Sequence, residues 1–190
     1  MPATLTALRR AGPGRVALDV DGRPWRTVPD DVVVRARLVA GLELDRETLR
    51  LVRRELARAR GLQTAGRALA RRDLSARRLQ ERVARTAPGA AEEVVAVLAD
   101  AGLVDDARSA RARARALAAR GWGDLAVAAR LEAEGFGCDA VREALGALEP
   151  EPGRAAALTA REPDRVKAAQ LLARRGFAPE LIQERAGALD

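Results

Sequence analysis

Leu117-Ala118-Ala119-Arg120-Gly121-Trp122 is the stretch whose reading decides the fold, because the chain writes a version of it three times. Its counterparts are Leu69-Ala70-Arg71-Arg72-Asp73-Leu74 and Leu172-Ala173-Arg174-Arg175-Gly176-Phe177. Each copy sets a basic residue two positions before a large apolar one. A further apolar residue follows five positions later (Leu79, Val127, Ile182), and Val83, Leu131 and Ala186 come four after that. Residues four apart share one helical face, so each copy predicts a helix, a tight turn and the start of a second helix. The copies begin 48 and 55 residues apart, in the range of helical repeat arrays. Such arrays build surfaces, and surfaces bind more readily than they catalyse.

Outward from the repeat, the chain divides into five segments. Residues 1–14 read as a flexible N-terminus. Residues 15–60 read as a basic head, a β-hairpin followed by two helices. Val16, Leu18 and Val20 alternate with polar residues, Asp21-Gly22 is a type I′ hairpin signal, and Pro24 confines the second strand to an edge. Pro29-Asp30-Asp31 opens a helix expected to end near Gly41. Asp45 caps the next, whose apolar face is Leu49, Val52, Leu56 and Ala59. Along it Arg46, Arg50, Arg54 and Arg58 recur every fourth residue as a basic ridge.

Three repeat units follow at 61–103, 104–149 and 150–190. In the first, helices are expected at 62–72, 75–85 and 90–101, after Gly61, with Ser75 as a cap, Pro88-Gly89 as a break and Gly102 as a stop. In the second, Asp105-Asp106 caps the first helix and Gly121 and Gly135 end helices. Glu149-Pro150-Glu151-Pro152 reads as a short stiff linker into the third. There Pro163-Asp164 opens a helix to Arg175, and Pro179 opens a last one ending near Leu189. The expected fold is mainly α: tandem three-helix units resembling helix-turn-helix corners, behind a small β-hairpin and two helices.

Composition limits what such a chain can do. Hydrophobic residues make up 48% and aromatic residues 2%, many of the former being alanine, which favours close helix packing over an aromatic-lined pocket. Histidine and tyrosine are absent and Cys138 is the single cysteine, so the usual acid–base groups, a Cys/His metal site and an internal disulfide are ruled out. Gly12-Pro13-Gly14 lacks the lysine of a phosphate loop, and Asp105-Asp106 stands where capping, not magnesium, is expected. The chain therefore reads as a non-enzyme with no cofactor and no metal. No apolar run approaches a membrane span and no secretory signal is seen, so a cytoplasmic location is expected.

The net charge of +7 is uneven: residues 1–60 carry +5, residues 61–103 +2, residues 104–150 −1 and residues 151–190 +1. The candidate contacts are arginines at the repeat corners: Arg71, Arg72, Arg77 and Arg78 around the first, Arg120 at the second, Arg174 and Arg175 at the third. Recurring at one phase, they could follow a polyanion or an acidic protein groove. Arg46, Arg50, Arg54 and Arg58 are the candidates of the basic head. Trp122, Phe177 and Leu74 share their phase with Leu79, Val127 and Ile182, which makes them core plugs; Trp25 sits on a hairpin too small to bury both faces.

Four stretches in order carry a family resemblance. Leu103-Val104-Asp105-Asp106-Ala107-Arg108 followed by Arg120-Gly121-Trp122-Gly123 resembles the central signature of the RecX family, bacterial regulators of the RecA recombinase. Arg71-Arg72-Asp73-Leu74-Ser75 with Leu79 is similar to the family's opening module. Leu171-Leu172-Ala173-Arg174-Arg175-Gly176-Phe177 with Glu180 and Ile182 is similar to its closing one, and the hairpin at Asp21-Gly22 to an N-terminal extension of many members. Ser109 departs from the pattern where an aromatic is usual, and Glu134 where a lysine often precedes the glycine. The resemblance implies tandem three-helix units, binding to the RecA–DNA filament, and suppression of filament extension, ATP hydrolysis and strand exchange, within homologous recombination, DNA repair and the SOS response; a monomer is expected. It implies DNA, single- or double-stranded, as a further partner, and adds Arg108 to the candidate contacts. The rival is a free-standing DNA-binding protein using basic helix-turn-helix-like repeats; the near-neutral later units weigh against it.

Overall fold

The computed structural model describes residues 3–187, so the first two residues of the expected N-terminal tail and the expected helix end near Leu189 lie outside it. The chain forms two compact units, one drawn from Met1–Arg72 and Leu79–Leu98, the other from Asp73–Arg78 and Ala99–Asp190.

The first unit is built on a four-stranded sheet in the order β3-β2-β1-β4, with β1 at Ala3–Arg10, β2 at Arg15–Val20, β3 at Arg23–Pro29 and β4 at Glu43–Leu44. The hairpin expected at Asp21-Gly22 is present, and both turn residues take positive φ (50° and 76°), as a type I′ turn requires. Pro24 lies on the edge strand β3, where no ladder bond is asked of it. The stretch read as a flexible tail is instead β1, a central strand paired with β2 and β4, and it brings Leu5 fully into the core.

Helix α1 spans only Asp30–Arg35, short of Gly41. Three consecutive valines are poor helix formers, and Arg37 at φ 51° turns the chain so that Leu38 can enter the core. Helix α2 then runs unbroken over Arg46–Leu69. Gly61 is therefore not a boundary. A Cβ there would stand 2.9 Å from Val94 and 3.1 Å from Val83, so the glycine lets other apolar side chains close on the helix. Leu5, Leu18, Val28, Val32, Leu38, Leu44 and Val52 form the head's core. The second half of α2 buries Ala65 and Ala68. One helix thus serves the head and the first repeat, which is why 15–60 and 61–103 do not separate cleanly.

Asp45 caps α2, its Oδ1 accepting from the Thr48 N–H at 2.7 Å, and that bond holds its carboxyl below the ordinary carboxylate range. A depressed folded pKa contributes stability above the unfolded value, lost as pH falls through the folded one. The stability gap between wild type and Asp45→Ala, measured by urea unfolding, should therefore be constant at neutral pH and shrink below about pH 4.

Helix α3 (Ala76–Ala84) contributes Leu79 and Val83 to the first unit, and a 3-10 turn at Pro88–Ala90 leads into α4 (Ala91–Asp100). The second unit holds α5 (Asp106–Ala118), α6 (Asp124–Ala133) and α7 (Cys138–Gly146) around Ala110, Ala114, Leu117, Val127, Leu131, Phe136, Val141 and Ala144. It also holds α8 (Glu151–Thr159), α9 (Arg165–Arg175) and α10 (Pro179–Ala186) around Ala155, Leu172 and Phe177. Asp105 and Asp164 are the expected caps, accepting from Arg108 N–H and from Val166 and Lys167 N–H. The acidic-proline stretch at 149–152 is no linker throughout: α8 begins inside it, at Glu151.

Candidate interaction surface: the repeat corners

Each corner is a helix end, an apolar residue packed inward and a new helix start. Gly121, Gly135 and Gly176 end α5, α6 and α9 with φ of 78°, 86° and 72°, and Trp122, Phe136 and Phe177 follow them. The corners also dock on one another within the second unit. The α9 end meets the α6 start: Arg175 O accepts from Gly123 N–H at 2.9 Å, and Gly176 O from Leu125 and Ala126 N–H. Exposed C-terminal carbonyls thereby satisfy orphan amides of another helix, whose N-cap, Gly123, offers no side chain. Glu151 completes the joint, its Oε1 accepting from Asp124 N–H at 2.6 Å and its Oε2 from Ala178 N–H at 3.4 Å, a carboxylate at two positive helix ends. The α6 end meets the residues before α3 in the same manner. Ser75 Oγ donates to Glu134 O at 2.7 Å while accepting from Arg78 N–H, and Arg78 Nη2 donates to Ala133 O at 2.6 Å.

This docking sorts the candidate arginines by what their guanidinium groups are already doing. Arg78 is committed to the Ala133 carbonyl, and Arg77 also has a partner. Arg108 caps the α4 end by donating to Gly102 O. Arg175 donates through Nη1 to Arg120 O at 2.9 Å and stands 5.1 Å from the Trp122 ring centroid. Arg71 and Arg72 in the first unit, and Arg120 and Arg174 in the second, are exposed and engage no other side chain or carbonyl among the described residues. Four of the eight corner arginines therefore keep their charge for a partner.

The basic ridge of α2 divides likewise. A step of four residues advances 400° around a helix, so the ridge drifts about 40° per arginine. Arg46 and Arg50 face solvent, Arg54 Nη2 reaches Glu93 Oε2 at 3.2 Å, and Arg58, its side chain 12% exposed, stands 3.2 Å from Glu93 Oε1 without hydrogen-bond geometry. Opposite, Glu55 is buried and accepts from Arg35 Nε at 2.6 Å, which raises the Arg35 pKa through that bond and its Coulomb attraction.

Some contributors were not legible in the sequence. Trp122 is only partly a core plug: half-buried against the α5–α7 core, it carries the Arg130 guanidinium 3.6 Å from its centroid. Arg154 ties α8 to this corner by donating to Trp122 O and pairing with Asp124. The unusual Glu134 is neutralised by Arg113, which grips it bidentately at 2.6–3.0 Å. Ser109, where an aromatic was expected, is buried. Cys138 is exposed at the start of α7. Among the described residues no acidic or sulfur group of three could hold a metal, and no helix is long and apolar enough to cross a membrane.

A β-headed helical-repeat protein with arginine-bearing corners is the class these observations define. The particular architecture is that of regulatory protein RecX. A crystal structure of regulatory protein RecX superposes with a TM-score of 0.79 at 20% identity, covering 97% of this chain and 98% of that one. RecX from Lactobacillus salivarius matches with a TM-score of 0.61 at 16% identity, over 70% of this chain and 97% of that one. No family model matches the sequence. No curated protein matches it either.

Proposed function

We propose that this protein is a non-enzymatic, cytoplasmic regulator of homologous recombination and DNA repair that binds the RecA–DNA filament as a monomer and inhibits filament extension, ATP hydrolysis and strand exchange. The observation that carries the reading is the likeness to regulatory protein RecX over nearly the full length of both chains. The unpaired corner arginines support it, since a row of repeats that each bind weakly gains strength by acting together. Arg71, Arg72, Arg120 and Arg174 are the contacts of this reading, meeting acidic groups of the filament. The test is single-strand-DNA-dependent ATP hydrolysis by RecA with the protein titrated in. Hydrolysis should fall with added protein: a fall complete well below one protein per RecA marks capping of filament ends, and one that needs near-equal amounts marks occupation of the filament groove. Hydrolysis unchanged at a molar excess would sink the reading.

A further inference from the structure

We propose that the edge strand β3 is a binding site for single-stranded DNA, with a base stacked on Trp25 and phosphates held by Arg23 and Arg26. The chain has only four aromatic residues. Phe136 and Phe177 are buried and Trp122 is covered by two arginines, whereas Trp25 keeps 38% of its surface open. Its placement follows from the ladder. Leu18 pairs with Arg26 and Asp19 with Pro24, so Trp25 is the extra residue of a β-bulge, a device that re-aims a side chain at a sheet edge. The Arg26 guanidinium lies over the indole ring, 5.1 Å from its centroid, so a cation already lines the stacking surface of a side chain that stays 38% exposed.

Charge completes the argument. The hairpin contains two acids, and both are engaged elsewhere. Asp19 is buried and pairs with Arg9, while Asp21 Oδ1 accepts from Thr4 N–H. Neither neutralises Arg23 or Arg26, which are exposed and form no ion pair among the described residues. From Gly22 to Val28 the strand has no acidic residue. An exposed indole between uncompensated arginines suits a polyanion whose repeating unit also presents a flat π-face, and single-stranded nucleic acid has both. An open indole face stacks on an unpaired base, which a duplex keeps within its own stack. DNA over RNA rests on the RecA–DNA filament reading; the site does not.

The test is fluorescence anisotropy of a labelled oligothymidylate with the full-length protein and no RecA. Trp25→Ala should weaken binding about tenfold and Trp25→Phe should restore most of it, because any aromatic face stacks. Arg23→Ala/Arg26→Ala should lower the slope of log affinity against log salt by about 1.4, two phosphate contacts on a single strand. A melting temperature equal to that of wild type in these variants, together with unchanged helicity, excludes misfolding as the cause. Equal affinity of Trp25→Ala and wild type would overturn the proposal, as would an unchanged salt slope, tighter binding of oligouridylate, or a preference for duplex. Trp25-dependent binding in a protein that leaves RecA hydrolysis untouched would sink the filament reading alone.

Discussion

Replacing Gly123 by alanine should destabilise the helical unit by about 3 kcal/mol, while the same change at Gly137 should cost less than about 0.5 kcal/mol. Both glycines are N-cap residues following an aromatic that packs on the α5–α7 core, with φ near −75° and extended ψ, so alanine fits either backbone. Their surroundings differ. A Cβ at Gly137 meets nothing within 4 Å, whereas one at Gly123 would run into Gly176 O and stand 2.5 Å from Gly176 C and Phe177 Cα. Those atoms are backbone and cannot rotate aside, so relief requires α9 to move off α6, breaking the bonds from Gly123, Leu125 and Ala126 N–H. Gly176 is constrained from the other side. It sits at φ 72°, and a Cβ there would stand 2.5 Å from Ala126 Cβ. Thermal unfolding followed by circular dichroism should show Gly123→Ala melting about 6–12 °C below wild type and Gly137→Ala unchanged. If the two variants melt together, the corners are not docked as described.

The pair also marks the limit of what the sequence discloses. The turns were readable because their chemistry is local: Asp21-Gly22, the Asp45, Asp105 and Asp164 caps, and the glycines that end α5, α6 and α9 each act within a few residues. Gly123 and Gly137 are indistinguishable to that reading, since the neighbour that separates them, Gly176, is far along the chain. Strand β1 was hidden for a related reason. Its register slips between Leu5 and Ala7, so the two-residue alternation that betrays a strand is broken, and of the partners that flank it in the sheet one, β4, is a two-residue strand more than thirty positions later. Gly61 read as the boundary before the first repeat because glycine commonly interrupts helices; here it lies inside α2, where Val83 and Val94 close on it. Arg174 and Arg175 are adjacent and identical in type, yet only Arg175 finds a carbonyl within reach.

Charge reversal at Arg71, Arg72, Arg120 and Arg174 together should abolish RecA inhibition while leaving helicity and melting temperature near wild type. All four are exposed and spend no hydrogen bond on the fold, so their loss leaves nothing buried unsatisfied. Arg175 is left out because it holds the Arg120 carbonyl and covers Trp122; reversing it would mix unfolding with lost binding. The four substitutions take the net charge from +7 to −1. Exposed pairs contribute roughly 0.5–1 kcal/mol each, and reversal adds repulsion, so the joint loss is at least about 2–4 kcal/mol, or about 30-fold to 1,000-fold in affinity. ATP-hydrolysis titrations should place the variant's half-inhibition beyond reach at concentrations where wild type inhibits fully. The pairwise variants carry the sharper information. Arg71→Glu/Arg72→Glu and Arg120→Glu/Arg174→Glu alter different compact units, and distributed binding requires each to give a substantial part of the loss. A quadruple variant that inhibits like wild type would refute the corner arginines as contacts. A loss carried wholly by one pair would keep the contact and refute its distribution along the repeats.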